Sequence, residues 1–166
     1  MISDGKHDGG DGMSGCPGSR TMAFAKDEGG EAPAGKVPSQ LRQWPIQLHL
    51  VSPAAPYFQG ADVLLAADCV PFAMGNFHGD YLKGKSLAIA CPKLDSGQEV
   101  YVEKIRGLCE DAKINSLTVV IMQVPCCRGL TGLAVQAVKE SARKVPVKVV
   151  VVSLQGAVLQ EDWVAA

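Results

Sequence analysis

Six cysteines stand in this chain of 166 residues, and five of them lie after residue 40. Four of those five come shortly after apolar runs that are typical of buried strands: Cys69, Cys91, Cys126 and Cys127. Thiolates are soft ligands that select iron–sulfur clusters, zinc or Cu(I), and they are also the nucleophiles of disulfide exchange. The spacing therefore indicates metal binding or thiol redox chemistry, provided that the fold brings the four residues together.

Short apolar runs alternate with amphipathic segments from residue 41 onward. Strands are predicted at 46–51, 62–67, 86–90, 117–124 and 147–152, and helices at 72–82, 98–113 and 130–144. This alternation favours a mostly parallel sheet with right-handed crossovers. We therefore predict an α/β fold: a three-layer Rossmann- or flavodoxin-like domain whose sheet has about four to five strands.

The predicted sheet would carry the four cysteines on one edge. The C-terminal ends of parallel strands lie together, and the loops that leave them form the usual ligand crevice. Cys69, Cys91 and the pair Cys126 and Cys127 follow three different strands, so their thiols are expected at one rim. The alternative is that they are small, buried cysteines at ordinary turns. Cys109, on the apolar side of a predicted helix, is expected to pack in the core.

A four-iron cluster suits this donor set better than a single ion. Structural zinc sites usually draw ligands from C-x2–4-C pairs, and this chain has none. Neighbouring side chains of an extended strand point in opposite directions, so Cys126 and Cys127 share a site only where the backbone turns. Pro125 and Gly129 favour such a turn, and a wider [4Fe–4S] cluster tolerates the spread of ligands. Cys-Pro pairs, here at Cys91, also occur beside iron–sulfur clusters.

Other polar residues near these cysteines have weaker signals. Lys93 and Arg128 could donate hydrogen bonds to cluster sulfurs, or they could be solvated loop charges. His49 and His78 are single histidines and are expected to have packing roles. The sequence contains no Ser-His-Asp spacing, Walker loop or GxGxxG motif, so no catalytic residue is predicted. An electron carrier or accessory protein is favoured over an enzyme.

Composition excludes several function classes. Lys and Arg total 16 against 17 Asp and Glu, and aromatic residues are only 5% of the chain. Nucleic acid and anionic lipid therefore exert no general attraction, and stacking platforms are improbable. Residues 1–15 contain no apolar signal-peptide region, and no apolar stretch could span a bilayer. We predict a cytoplasmic protein with reduced thiols, no membrane partner and no nucleic-acid partner.

The composition changes near residue 40. Residues 1–40 contain nine of the 18 glycines. Such a segment buries too little apolar surface to offset the entropy of ordering, so we predict a flexible tail or linker remnant there. Residues 41–166 form the predicted domain. Only the patch that begins at Cys16, with the sequence Cys-Pro-Gly-Ser, looks less random than the rest of the tail.

A family resemblance is carried by three runs, LRQWPIQLHLVSPAAPYFQGADVLLAADCVPFA, GKSLAIACPKLD and VVIMQVPCCRGL. Over about residues 14–160, the chain resembles the C-terminal domain of bacterial and archaeal ferredoxin-type iron–sulfur proteins. In that family an N-terminal module with two [4Fe–4S] motifs precedes this domain, and the patch at Cys16 resembles the linker between them. This chain has no C-x2-C-x2-C-x3-C-P run, so those two clusters are not carried over. The resemblance implies an electron-transfer setting.

These observations predict a domain that binds one cluster, a [4Fe–4S] centre, and transfers electrons to a redox protein partner. Its ligands would be Cys69, Cys91, Cys126 and Cys127. Zinc bound by three or four of these thiols is an alternative, as is disulfide exchange among the last three. A scaffold that docks an iron–sulfur partner is another, and a homodimer remains open.

Overall fold

The computed structural model describes residues 21–24 and 35–164. Seven strands occur in this part of the chain: β1 (Met22–Ala23), β2 (Gln43–Trp44), β3 (Asp62–Ala67), β4 (Ser86–Ala90), β5 (Ser116–Met122), β6 (Val147–Val152) and β7 (Val158–Val164). The α-helices are α1 (Val70–Ala73), α2 (Gln98–Glu110) and α3 (Arg128–Glu140). Two 3-10 turns (Pro56–Phe58, Pro125–Cys127) and a π turn (His78–Leu82) complete the described elements.

Five strands form one sheet in the order β4-β3-β5-β6-β7. The first four are parallel, and β7 runs antiparallel to β6. The central strands β3 and β5 are nearly continuous apolar runs because both of their faces are covered. The predicted α/β fold with a mostly parallel sheet is confirmed.

The direction of each crossover decides which face its helix covers. The connections from β4 to β5 and from β5 to β6 cross the sheet in the same direction, so right-handed crossovers place α2 and α3 on one face. The two helices pack against each other there. The connection from β3 to β4 runs the opposite way and places α1 on the other face, where α1 contacts β3 and β5.

Apolar residues at helical spacing anchor both long helices to the sheet. They are Tyr101, Val102, Ile105, Leu108 and Cys109 in α2, and Leu130, Ala134, Ala137 and Val138 in α3. The predicted core position of Cys109 agrees with its complete burial.

A buried glutamine covers the outer edge of β4. The Gln43 side chain is 1% exposed; its amide donates to the Leu87 carbonyl oxygen, and its Oε1 accepts from the Leu87 N–H, both at 2.9 Å. Ile89, the next residue of β4 whose backbone groups face outward, bonds to Ile46 O (2.8 Å) and to the Leu48 N–H (2.9 Å). The edge of β4 is therefore satisfied without another strand of the large sheet.

Two predicted elements differ from the structure. Residues 46–51 make only an isolated bridge, from Gln47 to Ile89, because the chain then turns back with the Val51 N–H on the Gln47 carbonyl oxygen (3.0 Å). The helix predicted at 72–82 is divided into α1 and the π turn, because Met74 leaves the helical conformation.

Three strands, β1, β2 and β7, escaped the sequence prediction. β7 is an edge strand with mostly exposed residues, so its sequence lacks the apolar run that marks a buried strand. β1 lies within the segment 1–40 and pairs antiparallel with β2. Most of that segment, including the patch at Cys16, lies outside the described residues. None of the helices at 21–24 and 35–164 is long and apolar enough to cross a bilayer.

Candidate functional site

The four cysteines that follow strands lie at the C-terminal ends of the parallel strands of the large sheet. β4, β3 and β5 are neighbours, and Cys91, Cys69 and the pair Cys126 and Cys127 follow their C-terminal ends. We call this the cysteine edge. The chain leaves β3 toward one face and β5 toward the other, so the switch point of the sheet, where such sheets bind ligands, lies between these two strands.

Three of the thiols are close enough to influence one another. Cys127 ends the 3-10 turn and is only 6% exposed, whereas Cys126 and Cys69 are exposed. Burial raises the pKa of the Cys127 thiol, and the neighbouring Cys126 and Cys69 raise it further. A hydrogen bond from the backbone of Met122 acts in the opposite direction. The turn between Pro125 and α3 thus directs one cysteine inward and leaves its neighbour at the surface.

Cys91 belongs to a tight turn after β4. Its N–H donates to Asp95 Oδ2 (2.8 Å), and the Asp95 N–H donates back to the Cys91 carbonyl oxygen (2.9 Å). The following residue, Pro92, lies against the start of α3, since a Cβ atom added at Gly129 would be 3.2 Å from Pro92 Cβ. The loop that carries Cys91 therefore contacts the helix that begins next to Cys127.

A hydrogen-bond network centred on Asp95 holds the Cys91 turn in place. Asp95 Oδ2 also accepts from the Tyr101 hydroxyl and from Gln47 Nε2, the latter at 3.2 Å. Burial alone would raise the pKa of Asp95, but the bonds from Tyr101, Cys91 and Gln47 outweigh it and leave the pKa lowered. Sequence reasoning missed Tyr101 and Gln47; the available signals were a hydroxyl on the apolar side of α2 and an amide between the apolar residues Ile46 and Leu48.

A second carboxyl group beside the network, that of Asp68, has a raised pKa where that of Asp95 is lowered. Asp68 directly precedes Cys69, and its Oδ1 is buried with no hydrogen-bond partner among the described residues. Burial, followed by the charge of Asp95, raises the pKa of Asp68. The cysteine edge thus contains one stabilised carboxylate and one carboxyl whose ionised form is disfavoured.

The remaining polar residues fall into two groups. Lys93, on the loop after β4, and Arg128, the first residue of α3, are exposed and make no side-chain hydrogen bond or ion pair within the described residues. His49 bonds to the Ser96 carbonyl oxygen (2.8 Å), and His78 Nδ1 accepts from the Gln40 N–H (3.0 Å). Both histidines therefore have structural partners.

Comparisons with known proteins place the whole cysteine edge within one family. Residues 55–165, more than half of the chain, match the model of a Rossmann-like domain. The chain belongs to the Rossmann-like domain family. An uncharacterized protein of Archaeoglobus fulgidus is 30% identical over 121 residues, which cover 72% of this chain and 83% of that protein. No solved structure matches.

The arrangement of thiols in this Rossmann-like domain limits what it can bind. Among residues 21–24 and 35–164, no group of three or more His, Cys, Asp or Glu side chains could hold a metal ion. The structure brings Cys69, Cys126 and Cys127 near one another and places Cys91 on the adjacent loop. Thiolates are ligands for iron–sulfur clusters and for zinc alike, so the donor type does not by itself select one of them.

Proposed function

We propose that this Rossmann-like domain binds one [4Fe–4S] cluster through Cys69, Cys91, Cys126 and Cys127 and serves in electron transfer. The observation that carries the proposal is the position of these residues: they follow three neighbouring parallel strands at the switch point of the sheet. Loops of that edge are where α/β sheets hold their ligands.

The electrostatics of Cys127 favour metal binding over thiol exchange. Reactive thiols have lowered pKa values, whereas burial and two neighbouring cysteines raise that of Cys127. Ligand thiols must lose their protons, and the positive charge of bound iron offsets these causes when the cluster binds. A buried thiol of this kind is a poor nucleophile but a suitable cluster ligand.

The origin of the cysteines in three separate loops is the argument for a cluster over zinc. A zinc ion holds its sulfur ligands about 2.3 Å away around a single point. No such grouping exists among the described side chains. Each thiolate of a cluster binds its own corner iron, so ligands from three loops need not converge on one point.

The surroundings of the cysteine edge suit a protein partner. Phe72 is 92% exposed, Leu94 84% and Leu154 66%, and each lies in a segment that follows the C-terminal end of a parallel strand. Exposed apolar groups near a functional edge mark contact surfaces, and transient redox complexes use small ones. We therefore infer a redox protein as the partner.

Anaerobic purification of the full chain, followed by reconstitution with iron and sulfide, tests the proposal. We expect about four irons per chain and an EPR signal after reduction. Protein that stays colourless, with iron below about one per chain, would contradict the cluster, and about one equivalent of tightly bound zinc would favour a single-ion site instead.

Cysteine variants connect the metal to the proposed ligands. Cys69→Ser and Cys91→Ser should each lower the iron content or change the EPR signal, because a ligand is lost. Cys109→Ala is the matched control: Cys109 is buried between α2 and the sheet, and its loss should leave the iron content unchanged. Equal iron in all three variants would count against these ligands, with circular dichroism as the check on folding.

A further inference from the structure

A second candidate site lies at the N-terminal ends of β3 and β4, opposite the cysteine edge. A cavity of about 500 Å³ opens beside Ala61, which precedes β3, and Ser86, which begins β4. The cysteine edge is at the other ends of these strands, roughly 15–20 Å away for strands of this length. The cavity volume is in the range of small-molecule pockets.

The cavity is positively charged. Arg42, Lys83 and Lys85 line it, and none of its lining residues is Asp or Glu. Within the described residues, the side chains of Arg42 and Lys83 have no hydrogen-bond or ion-pair partner, and Lys85 donates only to the Tyr81 carbonyl oxygen, at 3.0 Å. In a chain of net charge -1, three cations around one cavity are a local excess. A carboxylate brings one negative charge and two oxygens to these three cations, whereas a phosphate dianion brings two charges and three oxygens.

A buried hydroxyl and two rings add to this charge. Tyr57 lines the cavity, and its hydroxyl is buried with no hydrogen-bond partner of ordinary geometry among the described residues. Burial raises the pKa of Tyr57, and a side-chain hydrogen bond with Thr21 offsets this only in part. The Thr21 contact falls outside ordinary hydrogen-bond geometry, so the buried hydroxyl is poorly satisfied and a ligand oxygen would be a better partner. Phe24 lines the same cavity and gives it a second aromatic surface.

We propose that the cavity binds a small molecule that carries both a phosphate group and a flat ring, the chemical class of mononucleotides. The cations would hold the phosphate, and Phe24 and Tyr57 would contact the ring. This site is independent of the proposed cluster and lies at the edge opposite to the one where α/β sheets usually bind their ligands.

Titration of the full chain with AMP and with inorganic phosphate tests the proposal. We expect both to bind, with AMP at least about tenfold tighter, because only AMP offers a ring to the aromatic surface. The absence of AMP binding at millimolar concentration would overturn the proposal. Equal affinity for the two probes would overturn the assignment of the ring.

Paired variants locate the site. The double variant Arg42→Gln with Lys83→Gln should weaken AMP binding about tenfold or more, since two charge-assisted contacts are lost. Arg106→Gln with Lys139→Gln removes the same charge from α2 and α3, outside the lining of the cavity, and should leave the affinity unchanged. Equal losses in the two double variants would contradict the site.

A third variant examines the hydroxyl. Tyr57→Phe keeps the ring and should weaken AMP binding about threefold or more, because a hydrogen bond from the hydroxyl to a ligand oxygen is removed. Unchanged affinity would contradict this contact. Iron content is expected to be the same in all the cavity variants, so failure of this proposal and failure of the cluster proposal are distinguishable. Amide shifts on AMP binding that cluster at Cys69 instead of Ser86 would also overturn the assignment.

Discussion

At the scale of single residues, burial divides the described thiols into distinct classes. Cys69 and Cys126 are exposed, Cys91 is half-buried, and Cys127 and Cys109 are buried. Burial raises the pKa of Cys109 to about 11. A cysteine reacts as its thiolate, so burial slows the reaction of Cys109 twice, by blocking access and by raising its pKa.

We expect iodoacetamide at pH 7 to modify Cys69 and Cys126 first and Cys109 last in metal-free protein. Mass spectrometry of peptides at timed intervals measures the order. The same reaction in concentrated urea is the control, because unfolding should remove the difference between the cysteines. Labelling of Cys109 as fast as Cys69 in the folded protein would disagree with the structure.

The sequence allowed the edge location of the four candidate ligands to be predicted, since each follows an apolar run that ends at a recognisable turn. That they ligate one cluster stays a prediction. The support behind Cys91 could not be predicted: Tyr101 and Gln47 meet Asp95 only after distant segments pack together. Side-chain networks of this kind leave no spacing in the sequence.

At the scale of elements, the turn between β6 and β7 packs closely on the end of α1. Gly156 has a φ of +87°, and a Cβ atom there would lie 2.1 Å from the Ala73 carbonyl oxygen. Gly60 has a φ of +63° with open space around it. Substitutions at the two glycines can therefore be compared: at Gly60 only the backbone conformation is unfavourable, whereas at Gly156 a steric clash is added.

Gly60→Ala should lower the free energy of unfolding by about 1–2 kcal/mol, the cost of a left-handed residue. Gly156→Ala should lower it by about 3 kcal/mol or more, because overpacking against the Ala73 carbonyl adds to that cost. Urea denaturation of both variants measures the difference. Equal losses would mean that the turn does not press on α1.

An ion pair attaches β7 to β6. Lys148 Nζ contacts Glu161 Oε1, and the Tyr81 hydroxyl donates to Glu161 Oε2 at 3.3 Å. The bond from Lys148 lowers the pKa of Glu161, although burial opposes it slightly. A lowered folded-state pKa stabilises the protein above the unfolded value of about 4.3, and this stabilisation is lost as the pH falls through the folded-state value.

Glu161→Gln should cost about 0.5–1 kcal/mol at pH 7, as expected of a partly exposed pair, and almost nothing near pH 3. Denaturation curves of wild type and variant at both pH values test this. Asp162→Asn, one residue along the same strand, is the control and should change stability by less than about 0.5 kcal/mol at either pH. A Glu161→Gln deficit that persists at pH 3 would point to packing instead of charge.

Three of the four parallel strands were predictable to the residue and β5 to within two residues, whereas the antiparallel strand β7 was not predicted. Strands at 62–67, 86–90 and 147–152 match the structure because uninterrupted apolar runs end at turn residues. β7 has exposed residues throughout most of its length, so its identity as a strand depends on pairing with β6. The π turn likewise depends on packing that no local pattern specifies.

At the scale of the whole molecule, a single core beneath both helices and under α1 holds the two edges of the sheet in place. Leu64, in central β3, is fully buried, whereas Leu159, on β7, is 58% exposed. Any site at either edge depends on this core.

Leu64→Ala should lower the free energy of unfolding by about 2–5 kcal/mol, since it leaves a cavity between the layers. Leu159→Ala should change it by less than about 0.5 kcal/mol. Chemical denaturation provides both values. Similar effects of the two substitutions would mean that the core does not extend beneath β3 as described.

The glutamine that covers β4 has a consequence for self-association. Its amide occupies the backbone groups of Leu87 that an incoming strand would need, and Ile89 is already bonded to the segment at 46–48. In the described chain, β7 is left as the one border of the large sheet along which no further strand pairs. Continuous fibres built by strand addition need two open borders per molecule. Association of these molecules by strand pairing would therefore stop at a two-fold dimer joined through β7.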